Sequence, residues 1–138
     1  YTLYLKDTVK KYSLESKIIF TGYVDLDTLK LYYQAADLFI SGSKLDAGPE
    51  PPLLAASMNL PVFITNTGIA SEFYNQSKAG LIVPVDNYEI WAKEIKDIVN
   101  GKKIKVPDRE ELIRFCDKKL ISKYYYDIYK TIQIKEVN

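Results

Sequence analysis

An α/β domain built on a parallel sheet is the fold class this sequence predicts, and three observations predict it. Short β-branched or apolar runs (17–20, 38–40, 62–65 and 80–83) alternate with stretches of helical periodicity. Turn signals, Thr21-Gly22 and Asn66-Thr67-Gly68, close two of those runs. A strand followed by a helix and then another strand makes a parallel sheet with helices on its faces. At 138 residues the chain is long enough for one domain with a real core and too short for two comfortable ones.

The elements follow in order. Leu3, Leu5, Val9 and Tyr12 among polar residues predict an opening amphipathic helix over 2–12. Lys17–Phe20 reads as the first strand. Asp25 or Asp27 can cap a helix running through Ala36, with Leu29, Tyr32, Tyr33 and Ala36 at helical spacing. Leu38–Ile40 is the next strand and Pro51–Met58 the next helix, with prolines acceptable in its first turn and Asn59 as its stop. Val62–Thr65 is a strand, Ala70–Tyr74 a helical turn, and Gly80–Val83 a fourth strand. Asp86 or Asn87 can cap a helix through Val99 whose apolar face is Ile90, Trp91, Ile95 and Ile98, with Asn100-Gly101 ending it. A basic linker (Lys102, Lys103, Lys105) leads to Pro107-Asp108, which opens a helix at Arg109. The last helix, roughly Leu120–Ile132, carries Tyr124, Tyr125, Tyr126 and Tyr129.

Composition removes several function classes. A formal net charge of +1 gives no electrostatic case for nucleic acid or an acidic membrane surface. With no histidine, zinc sites and Ser/His or Cys/His triads are effectively excluded. The single cysteine, Cys116, excludes an internal disulfide framework and suits a reducing compartment. No segment approaches the length of a transmembrane helix, and no signal peptide is visible. The chain begins with Tyr rather than Met, as a fragment or processed product would.

The stretch Asp37–Val62 carries the chemistry. A buried strand gives way to a Gly/Pro-punctuated loop with two carboxylates, Asp46 and Glu50, and then to an apolar helix. Loops at the carboxyl ends of parallel strands, leading into helix N-termini, are where open α/β sheets bind ligands, and free amides with the helix dipole favour an anion there. Gly22, Asp46, Gly48, Glu50 and Gly68 each follow a predicted strand directly or closely, so they are expected on one sheet edge. Asp46 either holds a ligand's hydroxyls or caps a turn.

The order of these segments resembles the C-terminal domain of group 1 (family 4) glycosyltransferases, which adopt the two-domain GT-B fold. The resemblance rests on KIIFTGYVDLDTLKLYYQAADLFISGS, then PPLLAASMNLPVFITNTGIASEF, then AGLIVPVDN and a helix, and covers almost the whole chain. It implies a Rossmann-like parallel sheet with flanking helices. Residues 1–138 would be a single partial domain, with 107–138 as its C-terminal helices. It implies a retaining transferase whose donor-binding half takes a nucleoside-diphosphate sugar, without a metal or other cofactor, and passes the sugar to a glycan, lipid or protein acceptor. Asp46 takes the place of the family's first signature glutamate and is the expected catalytic residue; Gly22, Tyr23, Gly48, Glu50 and Gly68 are the expected donor contacts, Tyr23 by stacking on a base. Glu72 matches a position that is usually glutamate in the family.

The family pattern is broken in places. Leu54 stands where the second signature glutamate would accept hydrogen bonds from ribose, and its apolar neighbours predict that it faces the interior. Pro49 removes an amide from the loop, and Glu50 repels a diphosphate. The family's first two strands, with their basic residues, have no counterpart. The alternative is therefore a non-catalytic, degenerate GT-B-like scaffold or interaction module; a flavodoxin-like domain would not explain the order of segments. The resemblance further implies a location in the cytoplasm or at the cytoplasmic membrane face, and partnership with the remainder of a GT-B polypeptide or a completing chain. Alone, the segment should either pair Lys17–Phe20 directly with Leu38–Ile40 or have its gap filled from a larger polypeptide.

Overall fold

The structure, a computed structural model, describes residues 2–46 and 50–135. The chain forms two compact units, Tyr1–Leu31 and Tyr32–Asn138. In the first, α1 (Thr2–Lys11) ends in a turn closed by the Leu14 amide on the Val9 carbonyl at 3.0 Å. α2 (Leu26–Ala35) begins there and ends in the second unit. Asp25 is its cap: one carboxylate oxygen accepts from the Thr28 amide at 2.8 Å and the other from the Thr28 hydroxyl at 3.0 Å. Those hydrogen bonds, the amide's first, hold the Asp25 carboxyl below its ordinary range.

The expected strand at Lys17–Phe20 does not form. Lys17 lies in a turn, and Ile18, Ile19 and Phe20 are exposed without regular structure. Strand backbone needs a paired neighbour, and β-branching alone supplies none. Lys17–Phe20 therefore does not pair with the next strand either, because among the described residues the sheet holds three strands: β1 (Phe39–Ser41), β2 (Val62–Thr65) and β3 (Leu81–Val83). They are parallel, in the order β1-β2-β3, with Phe39 opposite Val62 and Phe63 opposite Leu81. The arrangement is Rossmann-like.

β2 is the central strand and all four of its residues are buried, as a strand covered on both faces requires. On one face Trp91, from α5 (Tyr88–Val99), stacks on Phe63 with ring centroids 4.0 Å apart. α5 starts where the sequence places it, Asn87 Oδ1 accepting from the Ile90 amide at 3.1 Å.

α3 (Glu50–Ser57) joins β1 to β2. Its two prolines sit in the first turn, where no intrahelical amide is needed. Asn59, in the left-handed conformation at φ 61°, ends the turn, and the Leu60 amide closes onto the Ala55 carbonyl at 3.0 Å. Two tyrosines fix the helix start: Tyr33 donates to the Pro51 carbonyl at 3.3 Å, and Tyr74, from α4 (Gly68–Ser77), donates to the Pro52 carbonyl at 2.8 Å. Gly80 has φ 67°, and a Cβ there would lie 2.8 Å from the Tyr74 ring, so the chain can enter β3 past that ring only as glycine.

α6 (Arg109–Cys116) is capped by Asp108, which accepts from the Glu110 amide at 2.8 Å. α7 (Lys118–Lys135) is longer than the sequence suggests, because Asp117 caps it, accepting from the Lys119 and Leu120 amides at 2.7 and 3.1 Å. Among the described residues no helix is long and apolar enough to cross a membrane.

Tyr74 yields a test of this core. It is 1% exposed, and burial pushes its phenol well above the ordinary 10.0. A folded pKa above the unfolded one favours the neutral phenol, so this stability is complete below pH 10 and is lost as pH rises beyond it. Tyr74→Phe should cost about 1 kcal/mol at neutral pH and remove part of the alkaline loss. Urea unfolding at neutral and alkaline pH measures both.

Candidate functional site

The loops leaving the three parallel strands are tied to one another at the carboxyl edge of the sheet. The Ser43 carbonyl, just past β1, accepts from the buried Thr65 hydroxyl at the end of β2, and from the Thr67 hydroxyl at 3.4 Å. Thr67 is the N-cap of α4, yet its side chain makes no cap hydrogen bond. Its hydroxyl is directed to the neighbouring loop instead. The Asn66 amide donates to the Val83 carbonyl at 2.8 Å, joining the β2 loop to the end of β3.

Gly68, the first residue of α4, has φ 63°, and a Cβ on it would overlap the Asp46 carbonyl oxygen and lie 3.1 Å from the Asp46 carbonyl carbon. The β1 and β2 loops thus touch backbone to backbone at this point. From the β1 loop Lys44 reaches Asp86, past β3, at 2.6 Å, and Tyr88 donates to the same carboxylate at 3.2 Å. The Lys44 hydrogen bond first, then that of Tyr88 and the Lys44 charge, hold the Asp86 carboxyl below its ordinary range. Asp86 itself sits at φ 59°, a left-handed turn that aspartate tolerates.

The sequence-predicted site residues therefore divide. Asp46 and Gly68 are in contact, in the loops following β1 and β2. Glu50 is the exposed first residue of α3, and its charge adds to the effect of burial in raising the Tyr33 phenol. Gly48 lies outside the described residues. Gly22 and Tyr23 belong to the first unit, where Gly22 has open space around its Cα and Tyr23 is 98% exposed. Glu72 is exposed on α4. Sequence reasoning missed Ser43, Lys44, Thr65 and Thr67, which tie the loops together; the signal available was the small hydroxyl residues ending β1 and β2, Ser41 and Ser43 in one and Thr65 and Thr67 in the other.

Leu54 departs from its expectation. It is half-buried and lines an apolar groove of about 820 Å³, together with Leu53, Ile69, Leu112, Ile121 and Tyr124. The buried face of α3 is Pro52, Ala55 and Ala56, so a helix apolar all round turns its larger side chains outward here. Cys116 lies on the same groove, and desolvation pushes its thiol up, away from the reactive thiolate.

Gly68→Ala should cost about 2–3 kcal/mol, from backbone strain at positive φ together with the Asp46 clash. Gly22→Ala, equally left-handed but in open space, should cost about 1 kcal/mol. Denaturant midpoints of the two variants separate the contact from the strain. The Asp86 latch should hold above the ordinary carboxylate pKa of 3.8 and open as pH falls through the lower folded value, which the Asp86 side-chain NMR titration reads directly.

Residues 1–116 match the family model described as glycosyl transferases group 1. An uncharacterized glycosyltransferase of Methanocaldococcus jannaschii is 25% identical over 124 residues, 90% of this chain and 31% of that protein. Mannosylfructose-phosphate synthase of Agrobacterium fabrum is 36% identical over 64 residues, 46% of this chain and 14% of that protein. The chain therefore spans a third or less of the length of these curated relatives. Sucrose-phosphate synthase from Thermosynechococcus elongatus superposes with a TM-score of 0.75 at 19% identity, covering 95% of this chain and 34% of that one. The C-terminal domain of a Francisella tularensis group 1 glycosyl transferase family protein gives 0.64 at 20%, covering 90% and 62%. At such identities the structures speak to the fold.

Proposed function

The chain belongs to the group 1 glycosyl transferases, and on that premise we propose that it is the donor-binding part of a retaining enzyme using a nucleoside-diphosphate sugar. The observation that carries this reading is the joined edge of the sheet: three strand-end loops held to one another, with Asp46 against the N-terminus of α4. Loops tied to one another at this edge suit a ligand that must be held in one pose. The amides opening α4 are not capped by Thr67, and they offer donors to a phosphate. Asp46 accepts hydroxyls of the donor sugar, and its negative charge steadies the positive charge that grows at the anomeric carbon as the leaving diphosphate departs. Glu50 and Gly68 border the diphosphate. No metal takes part, and the acceptor is a glycan, lipid or protein.

A second reading has one observation in its favour. Leu54 stands where the family pattern has a carboxylate and lines an apolar groove, as in a scaffold that has given up nucleoside binding.

Calorimetry of the full-length protein with nucleoside diphosphates separates the two. The transferase reading expects saturable binding, and Asp46→Ala should lower the transfer rate by about a hundredfold with a smaller effect on diphosphate affinity. Absence of nucleotide binding supports the scaffold.

A further inference from the structure

We propose that Lys44 and Asp86 are a positioning pair for Asp46, fixing the pose in which its carboxylate meets a donor; the proposal rests on the transferase reading of Asp46. That residue is carried by a short segment, 43–46, which leaves the end of β1. Both ends of the segment are held by the β2 loop. The Ser43 carbonyl accepts from the Thr65 and Thr67 hydroxyls, and the Asp46 carbonyl lies where a Cβ on Gly68 would stand. Between these ends the Ser43 hydroxyl donates to the Leu45 carbonyl at 2.9 Å, which shapes the turn locally, while the Leu45 side chain is exposed.

Two anchors on one loop leave a turn able to rotate about the line that joins them. A third point tied to a different loop removes that freedom, and Lys44 supplies it. Its ammonium meets the Asp86 carboxylate at 2.6 Å, past β3, and Tyr88 donates to the same carboxylate at 3.2 Å. Asp86 stands on a held base: it directly precedes Asn87, the cap of α5, and α5 packs on β2 through Trp91 on Phe63. The pair therefore links the centre of the sheet to the turn that carries Asp46. Both side chains are more than half exposed, so the pair adds little to global stability. Rotation of the turn would still displace the Asp46 carboxylate, and a misplacement of about 1 Å is enough to cost a large factor in rate.

Asp86 separates this role from a direct one. A lysine that binds phosphate itself is weakened by a carboxylate on its ammonium, so removing Asp86 would strengthen donor binding. A lysine that works through Asp86 loses its effect when either member is removed, and loses nothing more when both are.

Sugar-transfer kinetics of the full-length protein carrying Lys44→Met, Asp86→Asn or both test this. Each single variant should lower kcat about tenfold with the donor KM unchanged, and the double variant should fall no further than either. Lys44→Arg, which keeps the charge, should recover most of the loss. Denaturant midpoints should stay where they are. Independently of turnover, NMR of the full-length protein should show the Asp46 amide and carboxyl resonances displaced alike in Lys44→Met, Asp86→Asn and the double variant. Losses that multiply in the double variant, a loss confined to KM, or tighter donor binding by Asp86→Asn overturn the proposal. Unmoved Asp46 resonances overturn it whether or not sugar is transferred. A wild-type protein that transfers no sugar, with Asp46 resonances that still move in the variants, overturns the transferase reading and leaves the positional link standing.

Discussion

Gly68 and Asp46 share a point of backbone contact that no other residue at position 68 would permit, and the arrangement of the site depends on it. The left-handed conformation of Gly68 starts α4 directly against the carbonyl of Asp46. With the Thr65 and Thr67 hydroxyls both turned to Ser43, the loops after β1 and β2 become one surface. The exposed Lys44–Asp86 pair adds the β3 loop, and Tyr88 helps to orient it. Exposed pairs of this kind contribute little to global stability. Their effect here is positional.

Behind this edge the core explains why the loops begin where they do. β2 is buried on both faces, between α5 through the Phe63–Trp91 stack and the helices that contact Tyr74. Tyr33 and Tyr74 donate to consecutive proline carbonyls, so the start of α3, and with it Glu50, is set by two side chains from different helices. α3 has no polar face, which lets it pack against the sheet with Ala55 and Ala56 while Leu53 and Leu54 line the groove beside α6 and α7.

Much of this was legible in the sequence, and the failures have physical causes. The β-branched and apolar runs at 62–65 and 80–83 found their strands, because each has a paired neighbour in the sheet. Asn59, Asn87 and Asp108 announced helix ends by local hydrogen bonding, which needs no tertiary knowledge. Ile18-Ile19-Phe20 looks as strand-like as Phe63-Ile64, but a strand is a property of a pair, and composition cannot supply the partner. Leu54 was misread because α3 lacks amphipathic contrast, so nothing in its periodicity distinguishes the sheet side from the groove side. The contact of Asp46 with Gly68 joins residues far apart in sequence, and only the fold could show it.

The central claim is that the joined carboxyl edge of the sheet receives the diphosphate of a sugar donor. The most direct measurement is a backbone amide NMR titration of the full-length protein with a nucleoside diphosphate. Saturable shifts centred on Asp46, Gly68 and Ile69, at the start of α4, are the predicted result. Shifts confined to the apolar groove at Leu112 and Tyr124, or no shifts at all, would contradict it.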